Sequence, residues 1–290
     1  MTATDTKTEA IAAPAQLDEP APVFAAKDTT VEKTLKVLIP LGMLALLIAA
    51  WAWYVKAYDV PHYILPSPLR VGQALINDWG TLYGALLITL KITLTALAIA
   101  LVGGVGIAII MVQSRWVELA LYPYAVILQV TPIIAIAPLI LIYAPTTQAA
   151  LLICAWIVAF FPILSNTTQG LKSTDHNLLN LFELYGASRW QTLIYLKLPN
   201  ALPYFLAGLR IAGGLALIAA VVAEFAAGSA GAQSGLAYRL LESQFRLNIP
   251  RLFAALILLS MTGVIIFAMT SLISHLLLRK WHESALKREN

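Results

Sequence analysis

A chain of 290 residues that is 60% hydrophobic and only 12% charged has too little polar material to cover a water-facing surface. Its mean hydropathy of +0.79 excludes global disorder and argues against a soluble enzyme. The formal net charge of +4 does not signal nucleic acid, because basic loops of membrane proteins give the same excess and no basic run interleaved with aromatics occurs.

Residues 1–35 are rich in Ala, Pro and Thr, carry six acids, and read as a disordered cytoplasmic tail. They lack the basic start and short apolar core of a signal peptide, so the first span is expected to stay as an anchor. Uncharged gaps then mark the spans: 19 residues from Val37 to Val55, 23 from Ile92 to Ser114, 53 from Leu119 to Leu171 and 27 from Leu252 to Leu278. About 20 apolar residues cross the hydrocarbon, so the longest gap holds two helices. Its polar break is Tyr143 to Gln148. A further apolar stretch, Ala201 to Phe225, contains Arg210 and Glu224. The expectation is an all-α polytopic membrane protein with six transmembrane helices, at 36–56, 82–112, 119–142, 148–170, 201–225 and 252–278. These lie in one domain, 36–280, followed by a cytoplasmic tail at 281–290.

Lys and Arg set the orientation. With both termini inside, twelve of the 19 basic residues fall inside and five outside, while Lys91 and Arg210 lie within spans. The bias predicts N-in, C-in. Trp51, Trp53 and Tyr54 then form part of an outer aromatic belt.

Three connectors have character. Outside, Pro61, Pro66 and Pro68 precede a short interfacial helix over Leu69 to Asp78. Gly228, Gly231 and Gly235 mark a flexible outer segment before a helix at Leu236 to Asn248. The longest inner connector runs from Lys172 to Asn200. There Thr174 or Asp175 can cap a helix whose Leu178, Leu181, Phe182 and Tyr185 form one apolar face. Gly186 breaks it, Ser188 can cap a second short helix, and Pro199 is expected to end that helix before the fifth span. A bend at Ala187 to Gln191 can project a compact knob into a groove on a partner.

Polar groups inside spans have two readings each. Gln129, Thr131 and Pro132 interrupt an apolar run. Pro132 should kink the helix and free a carbonyl, which can line a path or only serve packing. Lys91 and Arg210 either attract an anionic solute or snorkel and pair internally. Glu224 reads as an outer-gate residue or as a rim acid facing water. Gly103, Gly104 and Gly106 sit mid-helix without a preceding strand or a following Gly-Lys-Thr or Gly-Lys-Ser, so they suit helix packing and not a phosphate loop. Cys154, the one cysteine, is expected to be a small packing residue. His62, His176, His275 and His282 lack metal-ligand spacing, so no metal site is expected.

Gly186, nine residues, then Leu196-Lys197-Leu198-Pro199 resembles the glycine-to-Leu-Pro half of the inner-loop signature of bacterial ABC importer permeases. Gly186-Ala187-Ser188-Arg189-Trp190 and Leu198-Pro199-Asn200-Ala201-Leu202-Pro203 resemble it too. Leu65-Pro66-Ser67-Pro68 and Gln129-Val130-Thr131-Pro132 are similar to the nitrate, sulfonate, taurine and bicarbonate subgroup. The likeness covers about residues 36–280. Asn180-Leu181-Phe182 stands where the signature opens with Glu-Ala-Ala, and Glu183 lies three positions on.

The resemblance implies a permease subunit of the bacterial inner membrane, not an enzyme, paired with a second permease subunit as a homodimer. It implies cytosolic ATP-binding partners that hold ATP and Mg, with no cofactor in this chain, and an extracytoplasmic solute-binding protein. Glu183, Gly186, Ala187, Ser188, Arg189, Trp190, Gln191 and Pro199 would form the ATPase-coupling loop, with Arg189 and Trp190 as main contacts. Gln129, Thr131, Pro132, Arg210 and Glu224 would belong to the translocation path. The implied solute is a small anion, the alternative a pyrimidine or other vitamin precursor. An intramembrane enzyme or a membrane scaffold are rival classes, but no nucleophile–base pair is evident within the spans.

Overall fold

A computed structural model describes residues 30–228 and 234–279. Among these every regular element is helical. The chain divides into two units, residues 1–43 with 287–290 and residues 44–286. The expected tails lie outside the described residues, except that 30–35 already belong to the first helix, α1 (Thr30–Ala57). The unit spanning 44–286 holds the rest of α1 and all the helices that follow.

After α1 the chain makes the expected interfacial helix, α2 (Pro68–Asn77), with Pro68 in its first turn and the Ser67 hydroxyl accepting from the Arg70 amide at 3.4 Å. Next comes α3 (Trp79–Gln113), 35 residues and so about 52 Å long, more than the hydrocarbon requires. The helix α6 (Thr147–Lys172) lies at the heart of the unit and packs along α3 and α9 (Leu198–Ala227). The core between them is built from small side chains, among them Ala100, Ala108, Ala159, Ala212 and Ala216. Small residues let helix backbones approach closely where lipid supplies no hydrophobic drive. Gly208 of α9 shows how close: a Cβ there would stand 2.7 Å from the Pro162 carbonyl oxygen of α6. Gly104 meets Ile163 in the same way, whereas Gly106 faces open space, so only part of the expected glycine packing face is used. Cys154 is fully buried among apolar neighbours.

Two spans differ from expectation. The third is not one kinked helix over 119–142. It is two helices, α4 (Arg115–Val130) and α5 (Ile133–Tyr143), bent by 102° at Thr131 and Pro132. Pro132 has no amide and forces its predecessor out of the helical region, so Thr131 is extended at φ −70° and ψ 122°. The Thr131 amide and hydroxyl both donate back to the Ile127 carbonyl, at 3.1 and 2.6 Å, and close α4. The helix α5 then packs across α6 and α9. Among the described residues five helices are long and apolar enough to cross a membrane, and counting the bent pair as one span gives six.

The fifth span departs in the other direction. Pro199 was expected to end a short helix, but the helix does not end. Arg189 to Ala227 is one helical run of 39 residues. It begins as α8 (Arg189–Thr192), widens into a π-turn at Leu193–Lys197 and continues as α9. The Leu198 amide reaches the Leu193 carbonyl across that wider turn. The extra residue gives Pro199 room for its ring and absorbs its missing donor. The last helices are α10 (Leu236–Phe245), within the expected 236–248, and α11 (Ile249–Leu278). The connector 229–233, including Gly231, lies outside the described residues.

Candidate functional site

The segment between α6 and α9 has the bend that the sequence suggests, and local hydrogen bonds lock it. Asp175 caps α7 (His176–Leu184) by accepting from the Asn177 amide at 2.8 Å. The helix stops at Gly186, whose φ of +68° is left-handed and disfavours any Cβ. Its amide donates to the Glu183 carbonyl at 2.9 Å, and the Ala187 amide to the Phe182 carbonyl at 2.9 Å. This pairing is a Schellman close. Two residues on, Ser188 opens α8 with a reciprocal capping box. Its amide donates to Gln191 Oε1 at 2.7 Å, and its hydroxyl accepts from the Gln191 amide at 3.3 Å.

Gly186, Ala187, Ser188 and Gln191 therefore make a stiff corner, and Glu183 contributes its carbonyl to that corner. Arg189 and Trp190 project from it. Trp190 is 64% exposed, and Leu184, Tyr185 and Tyr195 nearby are more exposed still. Large side chains are thus exposed on and beside a rigid corner. The base of the segment is fixed to the bundle. Leu193 is buried in the core, and Asn200 Nδ2 donates to Ser173 Oγ at 3.1 Å, tying the start of α9 to the end of α6. Lys172 is ion-paired with Glu118 of α4. Pro199 lies inside the continuous helix and not in the corner.

The five candidate path residues do not converge. Gln129, Thr131 and Pro132 sit together at the α4–α5 elbow, with Gln129 and Pro132 exposed. Arg210 is half-buried, with its guanidinium 5.8 Å from the Phe267 ring of α11 and its Nε unpaired. Glu224 lies fourteen residues further along α9, about 21 Å away.

Glu224 rules out one of its two sequence readings. It is neither on a rim nor facing water, being 2% exposed. Its Oε1 accepts from the Thr89 hydroxyl of α3 at 2.8 Å, and its Oε2 from the Ala237 amide at 2.9 Å. The Thr89 oxygen in turn accepts from the Leu236 amide at 2.9 Å. Gly235, which precedes α10, has no side chain to cap that helix. Glu224 and Thr89 supply the cap from two other helices, and a carboxylate at a helix N-terminus is also favoured by the dipole. A Cβ on Gly235 would overlap the Glu224 carboxylate and the Thr89 hydroxyl. Thr89 drew no attention in the sequence, and Gly235 only as a mark of the outer segment before α10, because nothing local links either to Glu224.

One charged cluster was also missed. Glu242 of α10 sits among Arg239 at 2.9 Å, Arg246 at 3.0 Å and Arg251 at 3.6 Å. The hydrogen bond from Arg239, with the charges of the three arginines, holds the Glu242 carboxyl below its usual range. The i, i+3 and i, i+4 spacing of 239, 242 and 246 was the available signal.

Residues 100–282, the part of the chain that holds this corner and the helices it joins, match the family described as binding-protein-dependent transport system inner membrane component. The chain belongs to that family. This ABC permease subunit is 33% identical to the formylaminopyrimidine transport permease protein ThiX of Halalkalibacterium halodurans, over 85% of the subunit and 97% of that protein. It is 29% identical to the putative aliphatic sulfonates transport permease protein SsuC of Bacillus subtilis, over 83% and 86%. The permease also shares its fold with a solved structure described as an amino acid ABC transporter with histidines. The TM-score is 0.59 at 18% identity, covering 72% of this chain and 97% of that one. The subunit is thus a multi-pass inner-membrane component of an importer.

Proposed function

We propose that this permease carries a small anion into the cell and is driven through the corner at Gly186–Gln191 by a cytosolic ATPase. In this reading the chain is N-in, C-in, with α7 and α8 in the cytosol and α2 and α10 outside. A second copy completes the path, and a separate binding protein delivers solute. ATP and Mg belong to the ATPase, which closes on ATP and rocks the permease between inward- and outward-facing states. Transport here is a set of binding and conformational steps, with no covalent chemistry asked of this chain.

The observation that carries the proposal is the join between corner and span. The corner is stiff, and Arg189 opens an unbroken 39-residue helix that runs on to Ala227. At 1.5 Å per residue that lever is about 58 Å long. A push on Arg189 or Trp190 is delivered to the membrane portion of α9 without a flexible joint between. Arg189 suits an acidic partner side chain, and Trp190 suits a groove as a buried anchor.

Because Cys154 is buried, a Trp190→Cys variant offers one accessible thiol among the described residues. In the assembled complex that thiol should crosslink to the ATPase subunit. Crosslinking only to lipid-facing reagents would contradict the proposed docking.

The anion reading rests on Arg210, a guanidinium inside a span with no acid beside it among the described residues. A second reading, a pyrimidine or related vitamin precursor, is favoured by the higher identity to the formylaminopyrimidine permease, 33% against 29% for the sulfonate one. Calorimetry on the binding protein that works with this permease separates them. Sub-millimolar affinity for an alkanesulfonate or similar oxyanion supports the first reading, and affinity only for a pyrimidine supports the second.

A further inference from the structure

At the end of the bundle that carries α2, the last turns of α1, the connector after it and the start of α2 border a half-open cavity of about 480 Å³. Lys56, His62 and Arg70 line it together with the Ser67 hydroxyl, and none of its walls is acidic. Asp59, the acid nearest in the chain, is not part of the lining, and among the described residues neither Lys56 nor Arg70 has an ion-pair partner. Three nitrogen-bearing side chains and a hydroxyl around one space form a site for a multiply accepting anion such as a phosphoryl group.

The rest of the lining is apolar. Ala52 and Val55 belong to the membrane-spanning part of α1, so the cavity has a cationic side and a hydrocarbon side. Its surroundings fix its depth. Trp53, Tyr54 and Tyr58, on the same last turns of α1, are 66%, 48% and 66% exposed. Amphipathic rings in that position sit at the headgroup level of a bilayer. The helix α2 carries exposed Leu69 and Ile76 beside one buried residue, Val71, as suits a helix lying in the interface plane.

A free solute anion matches the cationic side alone, whereas an amphiphile matches both sides and the depth. We infer that this cavity is a binding site for the phosphodiester headgroup of an anionic phospholipid, with Lys56 and Arg70 on the phosphate and the acyl chains beside Ala52 and Val55. The site is independent of the transported solute and of which side of the membrane it faces.

The test is native mass spectrometry of the full-length subunit, titrated with phosphatidylglycerol, with phosphatidylcholine, and with inorganic phosphate. The wild type should prefer phosphatidylglycerol over phosphatidylcholine. Lys56→Gln with Arg70→Gln should weaken phosphatidylglycerol binding by roughly thirtyfold, the effect of two basic residues on an anionic headgroup. Lys56→Arg with Arg70→Lys should restore it, which separates charge from folding. Millimolar inorganic phosphate should not displace the lipid. Equal binding of the two lipids by the wild type would overturn the inference, as would an unchanged preference in the Gln variant. Phosphate binding that depends on Lys56 and Arg70 without any lipid preference would reassign the cavity to a free oxyanion.

Discussion

Glu224, Thr89 and Gly235 make one structural unit although they lie on three different elements. Thr89 has a hydroxyl that donates to a buried carboxylate and accepts from an amide of another helix, so both of its bonding roles are filled. Thr89→Val keeps the shape and removes both bonds, leaving the Leu236 amide without a partner. The expected cost is about 1–3 kcal/mol, read as earlier thermal unfolding and as faster labelling of a cysteine placed on α10. Unchanged labelling would show that α10 is held by other contacts. Glu242 gives a pH prediction of definite sign. Its carboxyl is held below its ordinary value of 4.5, mainly by Arg239, so its pairing stabilises α10 and α11 fully above that value. The stabilisation is lost as pH falls through the lowered value. Glu242→Gln should therefore reduce stability at neutral pH, and the difference from wild type should shrink under acid conditions. A difference independent of pH would refute the ionic account.

At the scale of elements, the corner and the elbow are instructive opposites. The corner at Gly186–Gln191 was legible in the sequence because its chemistry is local: a glycine for a left-handed residue, then Ser188 and Gln191 three apart for a capping box. Gly186→Ala should cost about 1–2 kcal/mol in local stability, because the residue at φ +68° then carries a Cβ. Its readout is protease sensitivity between α7 and α8, which should rise while the spans stay intact. Unaltered proteolysis would mean the corner is held from outside.

The elbow was legible only as a kink. Pro132 announces a lost amide, but the 102° turn depends on where α5 packs against α6 and α9. Pro199 misled in the opposite way. A proline read alone says stop, yet the π-turn before it carries the helix through.

For the whole molecule, charge placement was the strongest guide. The uncharged gap Leu252 to Leu278 coincides with α11 to within a few residues, whereas α3 and α9 carry Lys91 and Arg210 and were legible only as apolar stretches. The tertiary cap of α10 was invisible to that logic. Glu224 and Thr89 are 135 residues apart in the chain, and no local pattern links them. The elements around them were readable, but their mutual support was not.

The account stands on force passing through the corner into α9. The most direct measurement is solute uptake and ATP hydrolysis by the reconstituted complex, with Arg189→Ala and Trp190→Ala introduced together. The account predicts at least a tenfold loss of uptake, with the permease still folded and inserted, because truncating an anchor of this kind typically costs more than about 2 kcal/mol of binding. Uptake and solute-stimulated hydrolysis at wild-type rates in that double variant would contradict it.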